Sequence, residues 1–197
     1  MIKKSVPFYS QKWDVSEWQK LGFDNYQNAE YWEKSSCGIL CLKMAIDFFL
    51  MKKGEEMSQS VADYIKVGLE LNAYTDSEGW NHNGLVKIAN RFGFKGSAKN
   101  VKIKGLQNML KSNALPIISI KWAFKNNKSL KERIIFWRKV GGHLALVTGF
   151  EEDEGHALKG FYVHHTSILL EYNWQHKFIQ LEQFKGAFTG RCVEVRS

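Results

Sequence analysis

Cys37 is the residue whose type and place most suggest chemistry. In YWEKSSCGILCLKMAIDFFL, Tyr31 to Leu50, it stands with Gly38 at the mouth of a strongly apolar run. Ser35 and Ser36 are candidate N-caps and Gly54 is a natural stop, so a helix is expected from about Cys37 to Lys53. A helix N-terminus carries partial positive charge and unpaired N–H groups, and both favour a thiolate. Gly38, with no side chain, is expected to leave room for a substrate's backbone. Cys41, one turn deeper, and Cys192, in the strand-like RCVEV, are expected to be small structural residues. Taken alone, a cysteine that begins an apolar helix is more often buried and inert.

A nucleophilic cysteine needs a base. Of the six histidines, His143 follows two glycines and opens the alternating run HLALVTGF, so it would project from the start of a strand. His156 lies in an acidic turn region, His82 in a loop before a helix, and His176 in an expected turn within NWQHKF. His164 and His165 are adjacent in a strand, so they point to opposite faces: one toward the core or the site, the other toward solvent or another layer.

The elements that must position these residues follow from periodicity and punctuation. VPFYS reads as a short first strand, and residues 11–36 as a long packed aromatic loop with a helical turn. After the apolar helix come helices near 58–72 and 83–93, a strand in GSAKNVKI, a short helix in KGLQNMLKSN and a buried strand in LPIISIKW. The basic stretch that follows is expected to be partly helical. GGHLALVTGF, GFYVHHTS, ILLEYNW and RCVEV read as strands, with a short helix in LEQFKGAF. Helices come mostly first and strands mostly later. The expected class is α+β, with N-terminal helices packed on a C-terminal antiparallel sheet in one domain, residues 1–197.

Composition excludes several classes. The chain has 197 residues, 44% hydrophobic and 24% charged, so it is neither disordered nor fibrous. No apolar run is long enough to span a bilayer, and the start has no apolar region suited to a secretory signal, so a cytoplasmic location is expected. Three cysteines fit a reducing compartment, and Cys37 and Cys41, one turn apart, are poorly placed for a disulfide. The net charge of +8 is densest between Lys121 and Val140. That stretch is either a rim favouring acidic ligands or a solvated helix, and no nucleic-acid module is visible. A zinc site from Cys37, Cys41, His164 and His165 is disfavoured, because the cysteines would lie inside a helix and the histidines diverge. No phosphate-binding or dinucleotide loop is present, so no cofactor or metal is expected.

In this order, VPFYSQKW, SSCGILCLKMAIDFF, NGLVKIANRFGF, LPIISI, GGHLALVTGF, FYVHHTS and LEQFKGAFTGRCVEV resemble the bacterial papain-like cysteine peptidases similar to the processing domains of bacteriocin exporters. The resemblance covers nearly the whole chain. It implies a papain-like fold, Cys37 as nucleophile, His143 as general base, and Gln11 with the Cys37 N–H as oxyanion donors; Gln27 is a weaker candidate for the glutamine. The family places an Asp or Asn after the histidine strand to orient the imidazole. Here His165 stands at that position and Thr166 where a proline is usual. A neutral imidazole could orient the base but would not supply charge for an imidazolium; Asn173 is the substitute to consider. The resemblance implies a cysteine peptidase acting on a peptide or isopeptide bond, with a peptide or protein substrate. Transferase or deamidase chemistry would use the same residues, and a non-catalytic peptide-binding module on the same fold is the alternative.

Overall fold

A computed structural model describes residues 1–121, 124 and 143–197. The basic stretch singled out above therefore lies, apart from Lys121 and Phe124, outside the described residues.

The chain opens with a two-residue strand, β1 (Ile2–Lys3), a 3₁₀ turn (Val15–Glu17), and helices α1 (Tyr26–Ser35), α2 (Cys37–Lys53) and α3 (Val61–Glu70). A small ribbon, β2 (Tyr74–Thr75) and β3 (Gly79–Trp80), precedes α4 (His82–Arg91), β4 (Lys95–Asn100) and α5 (Ile103–Lys111). Then come β5 (Leu115–Ile120), β6 (His143–Glu152), β7 (Leu158–His165), a 3₁₀ turn (Leu170–Tyr172), β8 (Trp174–Gln180), α6 (Leu181–Ala187) and β9 (Phe188–Arg196). The seven-stranded sheet runs β4-β9-β5-β6-β7-β8, antiparallel throughout, with β1 also paired to β6. The class is α+β, as expected, although β4 sits among the helices and joins the far edge of the sheet.

Helix α2 is the axis of the molecule. Every residue from Gly38 to Phe49 is buried, and the helix packs across β5, β6 and β9. It ends where Gly54 turns left-handed (φ 72°) and its N–H reaches the Leu50 and Met51 carbonyls. Two charged residues inside this apolar helix survive burial by pairing. Lys43 Nζ lies 2.8 Å from Asp47 Oδ2, and Asp47 also accepts from the Ser58 N–H at 2.8 Å and from the Tyr9 hydroxyl at 2.7 Å. The pair thus ties the N-terminal segment and the loop before α3 onto α2.

Several expectations need correction. VPFYS is not a strand; the segment runs along β6 and β7, with the Lys4 N–H on the Thr148 carbonyl and His164 Nε2 on the Val6 carbonyl. Residues 11–36 contain a ten-residue helix, α1, capped by the Asn25 side chain on the Asn28 N–H at 2.8 Å. ILLEYNW is a 3₁₀ turn leading into β8, and His176 lies within β8 at a left-handed residue (φ 47°) rather than in a turn between elements. No helix among the described residues is long and apolar enough to cross a membrane.

Candidate active site

Cys37 is the first residue of α2, and its placement is controlled from three sides. Ser36 occupies the N-cap but makes no side-chain cap, and its buried hydroxyl has no partner among the described residues. The junction of α1 and α2 is held instead by Trp80, whose indole Nε1 donates to the Ser35 carbonyl at 2.7 Å. Trp80 in turn packs into an aromatic group with Trp32 and Tyr74. Gly38 has a different role from the one expected. A Cβ there would come within 2.9 Å of both Trp80 Cβ and Leu144 Cδ1, so the space is filled by the protein's own side chains. The missing side chain lets α2 seat against β3 and β6.

That close approach brings β6 onto the nucleophile candidate. Leu144 is buried in β6, its side chain meets the Gly38 position, and its carbonyl lies 3.7 Å from Cys41 Sγ. Burial pushes the Cys37 thiol up, while the N–H groups of Leu144, Gly38 and Cys37 itself pull it down. The balance is a raised pKa, against the lowered one expected from the helix terminus. Cys41 is fully buried and pushed well above its ordinary value, first by burial and then by Cys37. Cys192 is buried in β9 and raised to about 11 by burial and by Glu194.

His143 is half-buried at the start of β6, immediately before Leu144. Its Nε2–H donates to the Thr166 main-chain carbonyl at 2.8 Å, which leaves Nδ1 as the basic lone pair. Burial lowers its pKa to about 4, and the Thr166 carbonyl opposes that shift. At rest, thiol and imidazole are both neutral.

His165 is brought to His143, but as a stacked ring. The centroids are 4.5 Å apart with the planes tilted by 33°. Its Nδ1–H donates to the Tyr172 carbonyl at 2.5 Å, and its Nε2 is buried with no partner among the described residues. Burial and the nearby His143 hold its pKa down to about 3. The hydrogen bond to His143 that the sequence leads one to seek in His165 is made by the next residue's backbone. His164 and His165 do face opposite ways, yet neither meets solvent. His164 is locked with Nε2–H on the Val6 carbonyl at 3.1 Å and Nδ1 accepting from the His176 N–H at 2.9 Å.

Gln11 is buried, with an unpartnered Oε1. Gln27 is exposed on α1. Asn173 does not reach His143; its amide nitrogen donates to Ser10 Oγ at 2.5 Å and its oxygen accepts from the Ser167 N–H at 3.3 Å. The short loop between β7 and β8 therefore holds His143 through Thr166, His165 through Tyr172 and the residue before Gln11 through Asn173. His82 bonds Ser119 Oγ at 2.7 Å, and His156 is exposed. Among the described residues no group of three or more His, Cys, Asp or Glu side chains is arranged to hold a metal.

The arrangement sets a thiol at the start of α2 beside β6, whose first residue is a neutral imidazole held by a main-chain carbonyl. Comparisons with known proteins agree with the fold that carries it. No family profile and no curated protein sequence matches the chain. Among solved structures, a double-glycine-motif protease of an AMS/PCAT transporter, solved with a leader peptide, is similar over 100% of this chain and 95% of its own, at TM-score 0.56 and 14% identity. A protein from Bacillus anthracis assigned as a C39-like peptidase is similar over 98% and 95%, at TM-score 0.57 and 14% identity. The peptidase domain of Streptococcus ComA, a bifunctional ABC transporter of a quorum-sensing pathway, is similar over 82% and 91%, at TM-score 0.52 and 14% identity. The chain has the papain-like fold of these peptidase domains.

Proposed function

We propose that this chain is a cysteine peptidase. Cys37 is the nucleophile, His143 the base, and the Thr166 carbonyl the acceptor that orients the base. The observation that carries the reading is at β6: the His143 Nε2–H is fixed by the Thr166 carbonyl, and the backbone N–H of the next residue helps lower the Cys37 thiol pKa against burial. In the reaction, His143 Nδ1 takes the Cys37 proton as the sulfur attacks the substrate carbonyl. The Cys37 N–H and Gln11 stabilise the resulting oxyanion. His143 then returns the proton to the leaving amine, giving an acyl-enzyme, and a water that yields its proton to His143 hydrolyses the thioester. His165 packs the back of the His143 ring and keeps it in one orientation. The solved neighbour that holds a leader peptide supports a peptide substrate.

A neutral carbonyl stabilises an imidazolium less than a carboxylate does, so proton transfer must accompany attack rather than precede it. Reactivity of Cys37 is accordingly expected to rise on the alkaline side. The test is intact-mass labelling with limiting iodoacetamide across pH, followed by peptide mapping. One adduct at Cys37, absent in Cys37→Ala and slowed in His143→Ala, supports the assignment. Equal labelling of Cys41 or Cys192 in the folded protein would remove it. A second reading, a peptide-binding module without catalysis, is favoured by the same resting neutrality of thiol and imidazole. Peptide retention with no thioester formed, and no effect of His143→Ala on labelling, would establish that reading instead.

A further inference from the structure

At the opposite end of α2 two ammonium groups share one neutral acceptor. Lys52, in the last turn of the helix, and Lys4, just after β1, both direct their ammonium groups at one neutral acceptor, Asn113 Oδ1, at 3.3 and 3.0 Å. Both also lie over the same ring, Phe48, at 5.6 and 5.8 Å from its centroid. Among the described residues no carboxylate forms an ion pair with Lys3, Lys4 or Lys52, whereas Lys43, Lys99, Lys111 and Lys159 each have one. The Lys4 pKa is lowered by burial and by the Lys52 charge, as expected for two cations facing one another without an anion. Helix-dipole complementation explains why a lysine is favourable at the end of α2, but it does not explain why a second one is brought in from another segment to the same oxygen.

The two ammonium groups border a cleft of about 400 Å³ whose other walls are Ser5, Phe48, Met51 and Asn113. A second cleft, lined by Lys3, Val6, Pro7 and His176 among others, shares Lys4, Ser5 and Met51 with it. An oxyanion placed between Lys4 and Lys52 would replace Asn113 as the shared acceptor and relieve the repulsion. We propose that this cleft, where Lys4 and Lys52 converge on Asn113, binds a carboxylate carried by a peptide. A carboxylate is favoured over a phosphate because the site presents two point-charge donors against apolar walls and no cradle of backbone N–H groups. The site lies at the far end of α2 from Cys37, roughly 22 Å along the helix axis. Binding there is independent of the peptidase reading, and the test needs no catalysis.

Tetraglutamate is titrated into the isotopically labelled full chain at low salt and followed by amide chemical shifts. Saturable shifts at the Asn113 side chain and at residues 4, 5 and 51 are expected. Affinity should fall about tenfold or more in Lys4→Gln and in Lys52→Gln, as for loss of a charged hydrogen bond. It should be nearly unchanged in Lys53→Gln, which alters net charge equally but lies over Phe94 instead. Equal weakening in all three variants would mean diffuse attraction to a basic protein and would overturn the proposal. So would the absence of saturation, or inorganic phosphate binding more tightly than tetraglutamate and displacing it.

Discussion

Replacing His165 by aspartate is the sharpest perturbation of the site. The wild-type imidazole of His143 is neutral because burial lowers its pKa to about 4 and the Thr166 carbonyl compensates only in part. The His165 ring stacks 4.5 Å away and is itself held neutral, so it contributes no negative charge. A carboxylate at that separation, in an effective dielectric of about 20, would interact with an imidazolium by roughly 4 kcal/mol. That corresponds to about three pKa units before the aspartate's own desolvation is counted. With that opposing cost, His165→Asp should raise the His143 pKa by about one to two units. The thiolate–imidazolium state then becomes accessible nearer neutrality, and Cys37 alkylation should extend to lower pH. Two measurements report this: the histidine ring resonances against pH, and the alkylation rate of Cys37 against pH. His165→Asn is the control, since it removes the stacked ring equally but adds no charge. Identical profiles for the Asp and Asn variants would refute the argument that absent negative charge keeps this pair neutral.

Other outcomes follow from the packing. Gly38→Ala would drive a methyl into Trp80 and Leu144, 2.9 Å away on each side, and should cost about 1–3 kcal/mol, read as a lowered denaturant midpoint. Asp47→Ala leaves Lys43 buried without its counter-charge and should cost about 3–5 kcal/mol; a loss below 1 kcal/mol would mean that Lys43 escapes to water. Acid should destabilise the fold through His164, whose folded pKa of about 4 lies below the ordinary 6.5. The unfolded chain binds the extra proton between those values, so stability is full above about pH 6.5 and falls as pH drops toward 4, by roughly 3 kcal/mol for this one group. Unfolding midpoints against pH check it, and His164→Gln should flatten part of the slope.

The parts of this protein that sequence made legible share a physical cause. Helix α2 could be read to its last residue because an apolar run ended at a glycine whose left-handed turn is the stop. Strand β6 was readable because its start is marked by two glycines, but the alternation read in HLALVTGF is not one of burial: Leu144 to Phe150 are all buried, so both faces are covered. Helix α1 was not, because its aromatic residues have strand propensity and its amphipathic signal is weak; the Asn25 cap was the clue available. The N-terminal segment looked like a strand because it is apolar and extended, yet its hydrogen bonds go singly to Thr148 and His164. At the site, Cys37 and His143 carry side chains whose chemistry is visible in one letter. Thr166 and Tyr172 contribute main-chain carbonyls, which every residue possesses, so no residue type could announce them. Gly38 was noticed for its missing side chain, but what fills that space depends on Trp80, which arrives from a distant ribbon.

The loop between β7 and β8 also fixes when the site can exist. Synthesis delivers the Gln11 segment and α2 first, His143 much later, and Thr166, Tyr172 and Asn173 later still. Until β6 is made, Cys37 has no Leu144 beside it, and until β7 is made, His143 has no acceptor for its Nε2–H. Such long-range closure is slow, because distant segments must be brought together before any contact rewards them. A growing chain on the ribosome therefore carries a thiol and, later, an imidazole that have not yet been introduced to each other. The same loop that holds the site together delays its assembly until β7 and the residues leading into β8 have been made.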